Sequence, residues 1–487
     1  MAISTLETSH SQSFKRLAVF VCFLCGFAAS CHPATLDAQP STDHPLARSV
    51  VAVSRVTNDT PGDPSDANFI PAALGCGVIL HAEGLILTNR HLLGDPNRDQ
   101  YFIWLPRTDH ATNRWHTAAL VAADTWSDLA VLKIDVAGLT PVILPTGDHQ
   151  WQPGDSVTVG HDPRAIIDSG SAELMPGILR DFDQPFLLPA AHEKQFSLMA
   201  ADSLYQYGGL LRIDTDSPGY TSGGAIVDDS GTLRGLTTAW VPRLPSPNHI
   251  AIPANKIFRY AVSQLQQGRV PEYGYLGVTL RDLSASQQQD GLEGVQVTNV
   301  VPNSPAELAE IGFADVITHI DGNKVVTVND AMSIIAGLPA GTSIRVQFIR
   351  GAISRQPVEE MDLQITLSRR WVSPRRTSFA SQPPFSLAGM QVDFYTAVPN
   401  FESIALAADP QGCVVITDVT VDSPAWTAGL RPRQFISRVN GVRISNPAEF
   451  HTAANNRLES IVKLEITRGD DDQPQTLTVQ VTGGEED

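Results

Sequence analysis

The sequence predicts a mainly β protein of several modules, and three observations support this. The chain has 487 residues, too many for one ordinary domain. From Ser49 onward, short β-branched runs alternate with Gly, Pro, Asn and Asp, a pattern typical of a β-barrel or sandwich. Two later segments, residues 303–325 and 422–444, align without a gap and therefore indicate two copies of one β-rich module.

Composition excludes several classes of function. Apolar residues make up 42% of the chain, enough to build cores, and the net charge of −18 argues against nucleic acid or an anionic membrane surface as the main partner. The sequence contains neither a phosphate-binding glycine loop nor a His-Glu-x-x-His zinc motif, and its 13 histidines lack ligand spacing. No metal or cofactor is therefore expected.

The N-terminus has the features of an export signal. Lys15 and Arg16 precede an apolar run that ends in small residues, which predicts a signal peptide at 1–30. Residues 31–48, rich in Pro, Ala, Thr and Asp, are predicted to form a flexible tether. Because the residues before Cys31 partly match a lipoprotein box, lipidation of Cys31 and a membrane tether stand as the alternative to simple cleavage.

The first module is predicted to consist of short strands and one closing helix. The runs at 50–54, 77–80, 84–88, 129–134 and 156–159, and later those at 210–213, 224–227 and 233–238, have strand character. Residues 161–210 lack a clear period and are interpreted as long surface loops. Residues 255–267 carry apolar side chains on one helical face, and Gly268 supplies a stop.

The repeated module has the same local signals in both copies. A serine caps a short helix whose first turn contains proline, at Ser304 and at Ser423. A strand then ends at Asp321-Gly322 or Asn440-Gly441, dipeptides that favour tight hairpins. A helical segment and a further strand follow in each copy. The Pro-, Arg-, Ser- and Gln-rich residues 370–384 form the predicted linker between the copies.

Three distant side chains are candidates for nucleophilic catalysis. His91 stands at the end of a strand, and Asp128 enters an otherwise apolar strand, where burial is costly unless a group such as a histidine N–H bonds it. Ser222 lies in a loop and is followed by two glycines. His91 has an ordinary alternative as a surface or core residue, and the Ser222 motif has one as a hairpin connection. The chain order His, Asp, Ser is nevertheless one that builds a nucleophile, base and orienter.

Taken together, these motifs resemble the HtrA/DegP family of trypsin-like serine proteases. The resemblance covers residues 49 to about 482 and is carried by Thr88-Asn-Arg-His91, Ser127-Asp-Leu-Ala-Val-Leu132, Ser222-Gly-Gly224, Ile250-Ala-Ile-Pro-Ala-Asn255 and Tyr275-Leu-Gly-Val278. It implies a mainly β architecture with a trypsin-like double β-barrel at 49–268. It also implies a PDZ domain at 273–369, the linker at 370–384, and a second PDZ domain at 385–483.

The resemblance also implies roles for these residues. His91 would be the general base, Asp128 its orienter and Ser222 the nucleophile of an acyl-enzyme mechanism that needs no cofactor. Such proteases act on protein or peptide substrates in the periplasm or cell envelope. By analogy with the family, the protein would form a homo-oligomer, with a trimer as the expected state.

The serine loop departs from the family pattern. The family usually has Gly-Asn directly before the serine, whereas Tyr220 and Thr221 stand there in this chain. A tyrosine disfavours the positive φ that glycine tolerates, so weakened oxyanion stabilisation is expected. The alternative is a one-residue insertion in which Gly219 makes the bend. Asp216, six residues before Ser222, is either a specificity acid for basic side chains or a solvated loop carboxylate.

The PDZ-like modules supply a second candidate function. Such modules bind an extended chain as an added strand and hold its C-terminal carboxylate with backbone N–H groups. In the first module the candidate loop consists of Tyr275, Leu276, Gly277 and Val278. In the second it consists of Leu387, Ala388, Gly389 and Met390, which match the pattern less closely. The alternative for both loops is the start of a hydrophobic strand.

Two functions from different classes are thus consistent with the sequence. The first is an exported, ATP-independent serine endopeptidase of protein quality control. The second is a catalytically impaired scaffold that binds protein C-termini. Covalent labelling of Ser222 by a fluorophosphonate distinguishes them. A small-molecule esterase has no support in the sequence beyond the shared mechanism.

Overall fold

The computed structural model of this protein describes most of the chain between residues 44 and 481. The described residues are 44–57, 71–106, 115–184, 209–215, 221–238, 248–353, 357–371, 378–382, 384–399, 401, 412–455, 460–468 and 471–481. The predicted signal peptide and Cys31 lie outside these ranges. Within them, no helix combines the length and apolar character needed to cross a membrane.

The first six strands form a closed barrel. They are β1 (Val50–Thr57), β2 (Ala73–His81), β3 (Leu85–Asn89), β4 (Asp99–Trp104), β5 (Trp115–Asp124) and β6 (Leu129–Lys133). All neighbours are antiparallel, in the order β5-β4-β1-β2-β3-β6, and pairing of β5 with β6 closes the ring. Alternate side chains such as Val51, Ile86 and Leu132 fill its interior.

Six further strands form a second closed barrel. They are β7 (Ser156–His161), β8 (Glu173–Gln184), β9 (Leu210–Thr215), β10 (Ala225–Val227), β11 (Leu233–Thr237) and β12 (Asn248–Pro253), in the order β10-β11-β12-β9-β8-β7. Helix α3 (Lys256–Gln266) follows, and the Asn255 side chain accepts a hydrogen bond from Phe258 N–H at its start. The mainly β double barrel predicted from the sequence is therefore confirmed.

Part of the interpretation of residues 161–210 is wrong. This region contains helix α2 (Pro163–Asp168) and the twelve-residue strand β8 rather than surface loops alone. Pro176 and Gly177 in the middle of β8 conceal the strand pattern, because both residues are unfavourable in strands. Gly177 is required there, since a Cβ atom would lie 2.7 Å from the Ile213 side chain.

The end of the predicted tether at 31–48 is also folded. Residues Pro45–Ser49 form helix α1, and the His44 side chain accepts a hydrogen bond from Leu46 N–H at its start. Leu46 and Ala47 are buried in the apolar cluster that includes residues of both barrels. These two apolar side chains were too few to be recognised against the polar composition around them.

The two repeats fold alike. The first contains β13 (Gly274–Tyr275), β14 (Val278–Asp282), α4 (Ala285–Gln289), β15 (Val295–Val300), α5 (Pro305–Leu308), β16 (Val316–Ile320), β17 (Asn323–Lys324), α6 (Val328–Ala336), β18 (Ser343–Arg350), β19 (Glu359–Thr366) and β20 (Ser368–Arg369). The second contains β22 (Met390–Phe394), β23 (Val414–Val419), α7 (Pro424–Thr427), β24 (Gln434–Val439), β25 (Val442–Arg443), α8 (Pro447–Asn455), β26 (Ile461–Arg468) and β27 (Asp471–Gln480). As predicted, Ser304 and Ser423 cap the short helices.

The predicted linker at 370–384 contains a strand of the first barrel. β21 (Phe379–Ala380) pairs antiparallel with β5, with Phe379 opposite Ala123 and Ala380 opposite Ala122. Ser381 N–H donates to the Val121 carbonyl at 3.0 Å. The linker is therefore attached to the barrel, beside the end of β5, rather than being a free spacer.

The two repeats contact each other through buried groups. The Tyr395 hydroxyl donates to the Asn303 carbonyl at 2.7 Å, and Tyr395 belongs to an apolar cluster packed against Tyr275. Arg369 forms ion pairs with Asp393 and, at 3.5 Å, with Glu272. These contacts join the end of the first repeat to the first strand of the second.

Candidate active site

The three predicted catalytic side chains lie together. His91 Nε2 is 2.7 Å from Ser222 Oγ, and His91 Nδ1 is 2.7 Å from Asp128 Oδ2. The His91 backbone N–H also donates to Asp128 Oδ1 at 2.9 Å. Asp128 and Ser222 are buried, and the imidazole between them is nearly so. The arrangement has the contacts expected of a nucleophile, a base and an orienter.

Backbone contacts hold the histidine and the aspartate in register. His91 lies in a 3₁₀ turn (Arg90–Leu92) that directly follows β3. The Asp128 carbonyl accepts hydrogen bonds from Arg90 N–H at 2.9 Å and from Asn89 Nδ2 at 3.2 Å. Because β3 and β6 are paired neighbours in the barrel, these contacts bring the ends of both strands to one place.

A second aspartate shapes the turn that carries Asp128. Asp124 is buried, and its Oδ2 accepts hydrogen bonds from Ser127 N–H at 2.9 Å and from the Ser127 hydroxyl at 2.7 Å. Its Oδ1 accepts from Trp126 N–H at 3.2 Å. Asp128 itself has φ +55°, a left-handed conformation that the neighbouring contacts must maintain.

The same Asp124 links this turn to the first repeat. Its Oδ2 also accepts a hydrogen bond of 2.5 Å from the Tyr273 hydroxyl. The Tyr273 ring packs edge-on against Trp126, with ring centroids 4.8 Å apart. Sequence reasoning missed both Asp124 and Tyr273. The available signal was a second acidic residue, four positions before Asp128, at the end of an apolar strand.

Ser222 is held by hydrogen bonds on both sides. Its carbonyl accepts from Cys76 N–H at 2.8 Å, and Gly223 N–H donates to the Thr237 carbonyl at 2.8 Å. The Thr237 hydroxyl donates to the Thr221 carbonyl at 2.7 Å and accepts from Gly224 N–H at 2.8 Å. The loop therefore connects β2 of the first barrel with β11 of the second.

The two glycines after Ser222 are required by close packing. Gly223 has φ +83°, and a Cβ atom there would lie 1.9 Å from the Cys76 carbonyl oxygen. A Cβ atom on Gly224 would lie 2.6 Å from the Gly160 carbonyl oxygen. The Ser-Gly-Gly motif is therefore a packed junction between the barrels and not an ordinary hairpin connection.

The turn at 160–163 packs beside this junction. His161 is buried near Gly224, and burial lowers the pKa of its imidazole despite the nearby carboxylates of Glu173 and Asp162. The Asp162 carboxylate accepts hydrogen bonds from Arg164 and Ala165 N–H groups and begins α2. The turn thus contributes a neutral imidazole and a capped helix next to the serine loop.

The structure leaves part of the predicted oxyanion loop undescribed. Gly219 and Tyr220, and the candidate specificity residue Asp216, lie outside the described residues. Thr221, the remaining loop residue, is half-buried and held through its carbonyl by Thr237. In the part of the chain that is described, no group of three or more metal-ligating side chains is present.

The predicted peptide-binding residues of the first repeat line a narrow groove. β14 is the terminal strand of its sheet and faces α6, whose Met332 and Ile335 line the opposite wall. Tyr275, Leu276, Gly277 and Val278 form one end of the groove, which encloses about 40 Å³. The groove therefore has the free strand edge that an added peptide strand requires.

The corresponding loop of the second repeat is closed on itself. Leu387 and Met390 exchange two backbone hydrogen bonds, of 2.8 and 2.9 Å, around Ala388 and Gly389, which both have positive φ. The Met390 N–H, which would correspond to a carboxylate donor, is therefore already bonded. Phe385, half-exposed, packs on His451 of α8 with ring centroids 4.0 Å apart.

Comparison with known proteins identifies each module. Residues 75–236 match a trypsin-like peptidase domain, and residues 274–359 and 415–468 each match a PDZ domain. The serine endoprotease DegS of Haemophilus influenzae is 30% identical over 293 residues, covering 58% of this chain and 76% of the relative. A probable periplasmic serine endoprotease, DegP-like, of Chlamydia trachomatis is 26% identical over 408 residues, covering 82% of this chain and 73% of the relative.

A solved structure shares the fold. The HtrA-type protease AlgW with a tripeptide superimposes with a TM-score of 0.51 at 24% identity, covering 69% of this chain and 99% of that one. The fold and the matched domains define a trypsin-like serine protease with two PDZ domains. More narrowly, the chain belongs to the HtrA family, which includes DegP and DegS.

Proposed function

We propose that this protein is an exported, ATP-independent serine endopeptidase of protein quality control, with PDZ domains that bind substrate or regulatory peptides. The observation that carries the proposal is the pair of 2.7 Å contacts that connects Ser222, His91 and Asp128. The periplasmic names of relatives support export and action in the periplasm or cell envelope. The resemblance to the family supports a homo-oligomer, with a trimer as the expected state. Simple cleavage of the signal peptide is proposed, and lipidation of Cys31 with a membrane tether is the alternative.

In the proposed acylation step, Ser222 Oγ attacks the scissile carbonyl while His91 Nε2 accepts the hydroxyl proton. The Asp128 carboxylate accepts a hydrogen bond from His91 Nδ1–H, which fixes the tautomer of the imidazole. It also stabilises the imidazolium that forms. Collapse of the tetrahedral intermediate breaks the C–N bond, and the imidazolium gives its proton to the leaving amine. The products of this step are a peptide with a free amine and an ester on Ser222.

The second step reverses these roles with water. His91 accepts a proton from a water molecule, whose oxygen attacks the ester carbonyl, and the proton then returns to Ser222 Oγ as the acid is released. Both tetrahedral intermediates need N–H donors at their oxyanion. The reaction rate depends on whether Tyr220 and Gly219 provide such an N–H donor. If they do not, the competing function, a catalytically impaired scaffold, is favoured.

Covalent labelling tests the proposal directly. Purified protein and its Ser222→Ala variant are treated with a fluorophosphonate–rhodamine probe and, separately, with β-casein. We expect labelling and casein cleavage by the natural protein, and loss of both in the variant, since removal of a triad nucleophile costs on the order of a millionfold in rate. Ser169→Ala, an exposed serine on the second barrel, is the matched control and should label normally.

Absence of labelling in the folded natural protein would contradict the proposal. Circular dichroism and retained peptide binding would establish that the sample is folded, and the scaffold function would then be favoured. Slow labelling that still depends on Ser222 would instead indicate an active but weakened enzyme. In that case Tyr220→Gly should increase the labelling rate if the tyrosine limits the oxyanion hole.

A further inference from the structure

The groove of the first PDZ domain is also lined by two residues that lie outside its strands and helices. Trp126 belongs to the protease turn that carries Asp128, and Arg370 directly follows β20. Both line the groove beside Tyr275, Leu276 and Gly277. Among the described lining residues, Arg370 is the one with a charged side chain.

The Arg370 side chain is placed by two contacts. Its backbone N–H donates to the Tyr273 carbonyl at 3.1 Å, which fixes the start of the side chain beside β13. Its guanidinium carbon lies 4.7 Å from the centre of the Trp126 ring, a cation–π contact. Trp126 is buried, so it forms a fixed platform for the guanidinium of Arg370, which lines the groove together with Tyr275, Leu276 and Gly277.

A guanidinium in an otherwise apolar groove is suited to binding the C-terminal carboxylate of a peptide. A peptide that adds to the edge of β14 brings its C-terminal carboxylate to the loop at 275–278, where backbone N–H groups supply partial charges only. A guanidinium adds a full positive charge and a planar pair of donors, which bind carboxylate more strongly than neutral donors. The apolar lining of Leu280, Met332 and Ile335, in a groove of about 40 Å³, suits a small apolar terminal side chain.

We infer that Arg370, held on Trp126, is a specificity-determining residue that selects protein chains ending in a free carboxylate after a small apolar residue. The inference rests on the peptide-binding part of the proposed function and adds the residues that set its selectivity. Because the loop of the second repeat already bonds its Met390 N–H internally, this recognition occurs once per chain.

A binding experiment tests this assignment. The Ser222→Ala protein, which leaves peptides uncleaved, is titrated with fluorescein-labelled Gly-Ser-Gly-Ser-Ala-Val as the free acid and as the C-terminal amide, and anisotropy is recorded. We expect the acid to bind at least tenfold more tightly than the amide, with one site per chain. When Arg370→Gln is introduced into the Ser222→Ala protein, the free-acid peptide should bind tenfold or more weakly, because a charge-assisted hydrogen bond is lost. The affinity for the amide peptide should not change.

Two further variants control the result. Arg345→Gln removes an exposed arginine of the same domain, on β18 and paired with Asp362, and should leave both affinities unchanged. Arg370→Lys keeps the charge without the planar fork and should have an intermediate affinity. If the ratio of the affinities for the acid and amide peptides is the same with Arg370 in place and after Arg370→Gln, the inference is overturned, although peptide binding itself remains. If neither peptide binds the unsubstituted protein, peptide recognition by this groove fails as well, independently of the fluorophosphonate result.

Discussion

Thr237 lies at the centre of the hydrogen bonds that hold the serine loop. It is fully buried on β11, donates to the Thr221 carbonyl, and accepts from Gly224 N–H, the residues on either side of Ser222-Gly223. One hydroxyl thereby restrains both ends of the segment that presents Ser222, the candidate nucleophile. Its loss would leave the buried Gly224 N–H and the partly buried Thr221 carbonyl without this partner, at a cost of about 1–3 kcal/mol for the buried group.

We therefore expect Thr237→Val to slow the enzyme more than it weakens substrate binding. The isosteric side chain fills the same space, so the barrel should fold, but the serine loop loses its restraint. kcat should fall about tenfold or more while KM changes little, because misplacement of a nucleophile reduces the rate steeply. Steady-state kinetics on a fluorogenic peptide measure the effect. Thr237→Ser, which keeps the hydroxyl, should restore most of kcat, and failure of this rescue would contradict the assigned role.

At the scale of elements, β21 shows how the segment between the PDZ domains is attached to the protease. Its pairing with β5 ends next to Thr125, whose N–H donates to Ser378 Oγ at 3.1 Å. β5 leads directly into the turn from Asp124 to Asp128. Adding β21 therefore covers an edge of the strand that leads to the candidate orienter.

Ser381→Pro should release this strand. Proline removes the N–H that donates to the Val121 carbonyl, a loss of about 1 kcal/mol, and disfavours further pairing. Hydrogen exchange measured by mass spectrometry should become faster in residues 119–125 and 378–382, with little change in the second barrel. Ser381→Ala retains the N–H and is the control. Unchanged exchange at 119–125 in the proline variant would show that β21 does not protect the end of β5.

At the scale of the whole molecule, one carboxylate at the interface of the two PDZ domains is poised to respond to pH. Asp393 of β22 is largely buried and faces Arg369, Glu272 and the Phe394 N–H, which donates to its Oδ1 at 2.7 Å. Burial raises the pKa of Asp393 to about 6 from 3.8, although Arg369 acts in the opposite direction. Folding therefore favours the neutral form of Asp393 more than the unfolded chain does.

Because the pKa of Asp393 is raised in the folded protein, this group lowers the free energy of unfolding as the pH increases. Well below pH 3.8 the carboxyl is neutral in both the folded and the unfolded chain, so it imposes no penalty. As the pH rises through 3.8 toward 6, the unfolded chain loses its proton first, and the free energy of unfolding falls. Above pH 6 the loss is complete and amounts to roughly 3 kcal/mol for a shift of about two pKa units.

Asp393→Asn should therefore be more stable than the natural protein at pH 7. Thermal unfolding of both proteins between pH 4 and pH 8 measures the difference in Tm. The difference should be largest above pH 6 and should shrink toward pH 4, because asparagine mimics the protonated carboxyl. Other titrating groups cancel in the comparison. A difference in Tm that does not vary with pH would contradict the raised pKa.

Much of the fold was predictable because its signals are local. Turn residues between short apolar runs predicted eight of the twelve barrel strands and missed β4, β5, β8 and β12. The alignment of 303–325 with 422–444 predicted two like modules whose short helices are capped by Ser304 and Ser423. The prediction failed where local rules are broken by packing. β8 contains proline and glycine, and α1 is stabilised mainly by two side chains buried against distant strands.

The sequence by itself determined the module order and the three residue types that can form a catalytic triad, because strand-end and turn motifs leave a record in neighbouring residues. The tertiary structure alone decided what joins the modules: Tyr273 to Asp124, Arg370 to Trp126, and β21 to β5. Each of these contacts spans more than a hundred positions of the chain, as in the 149 between Asp124 and Tyr273. No periodicity or turn chemistry encodes such a separation, since the pairing depends on how folded domains pack against one another.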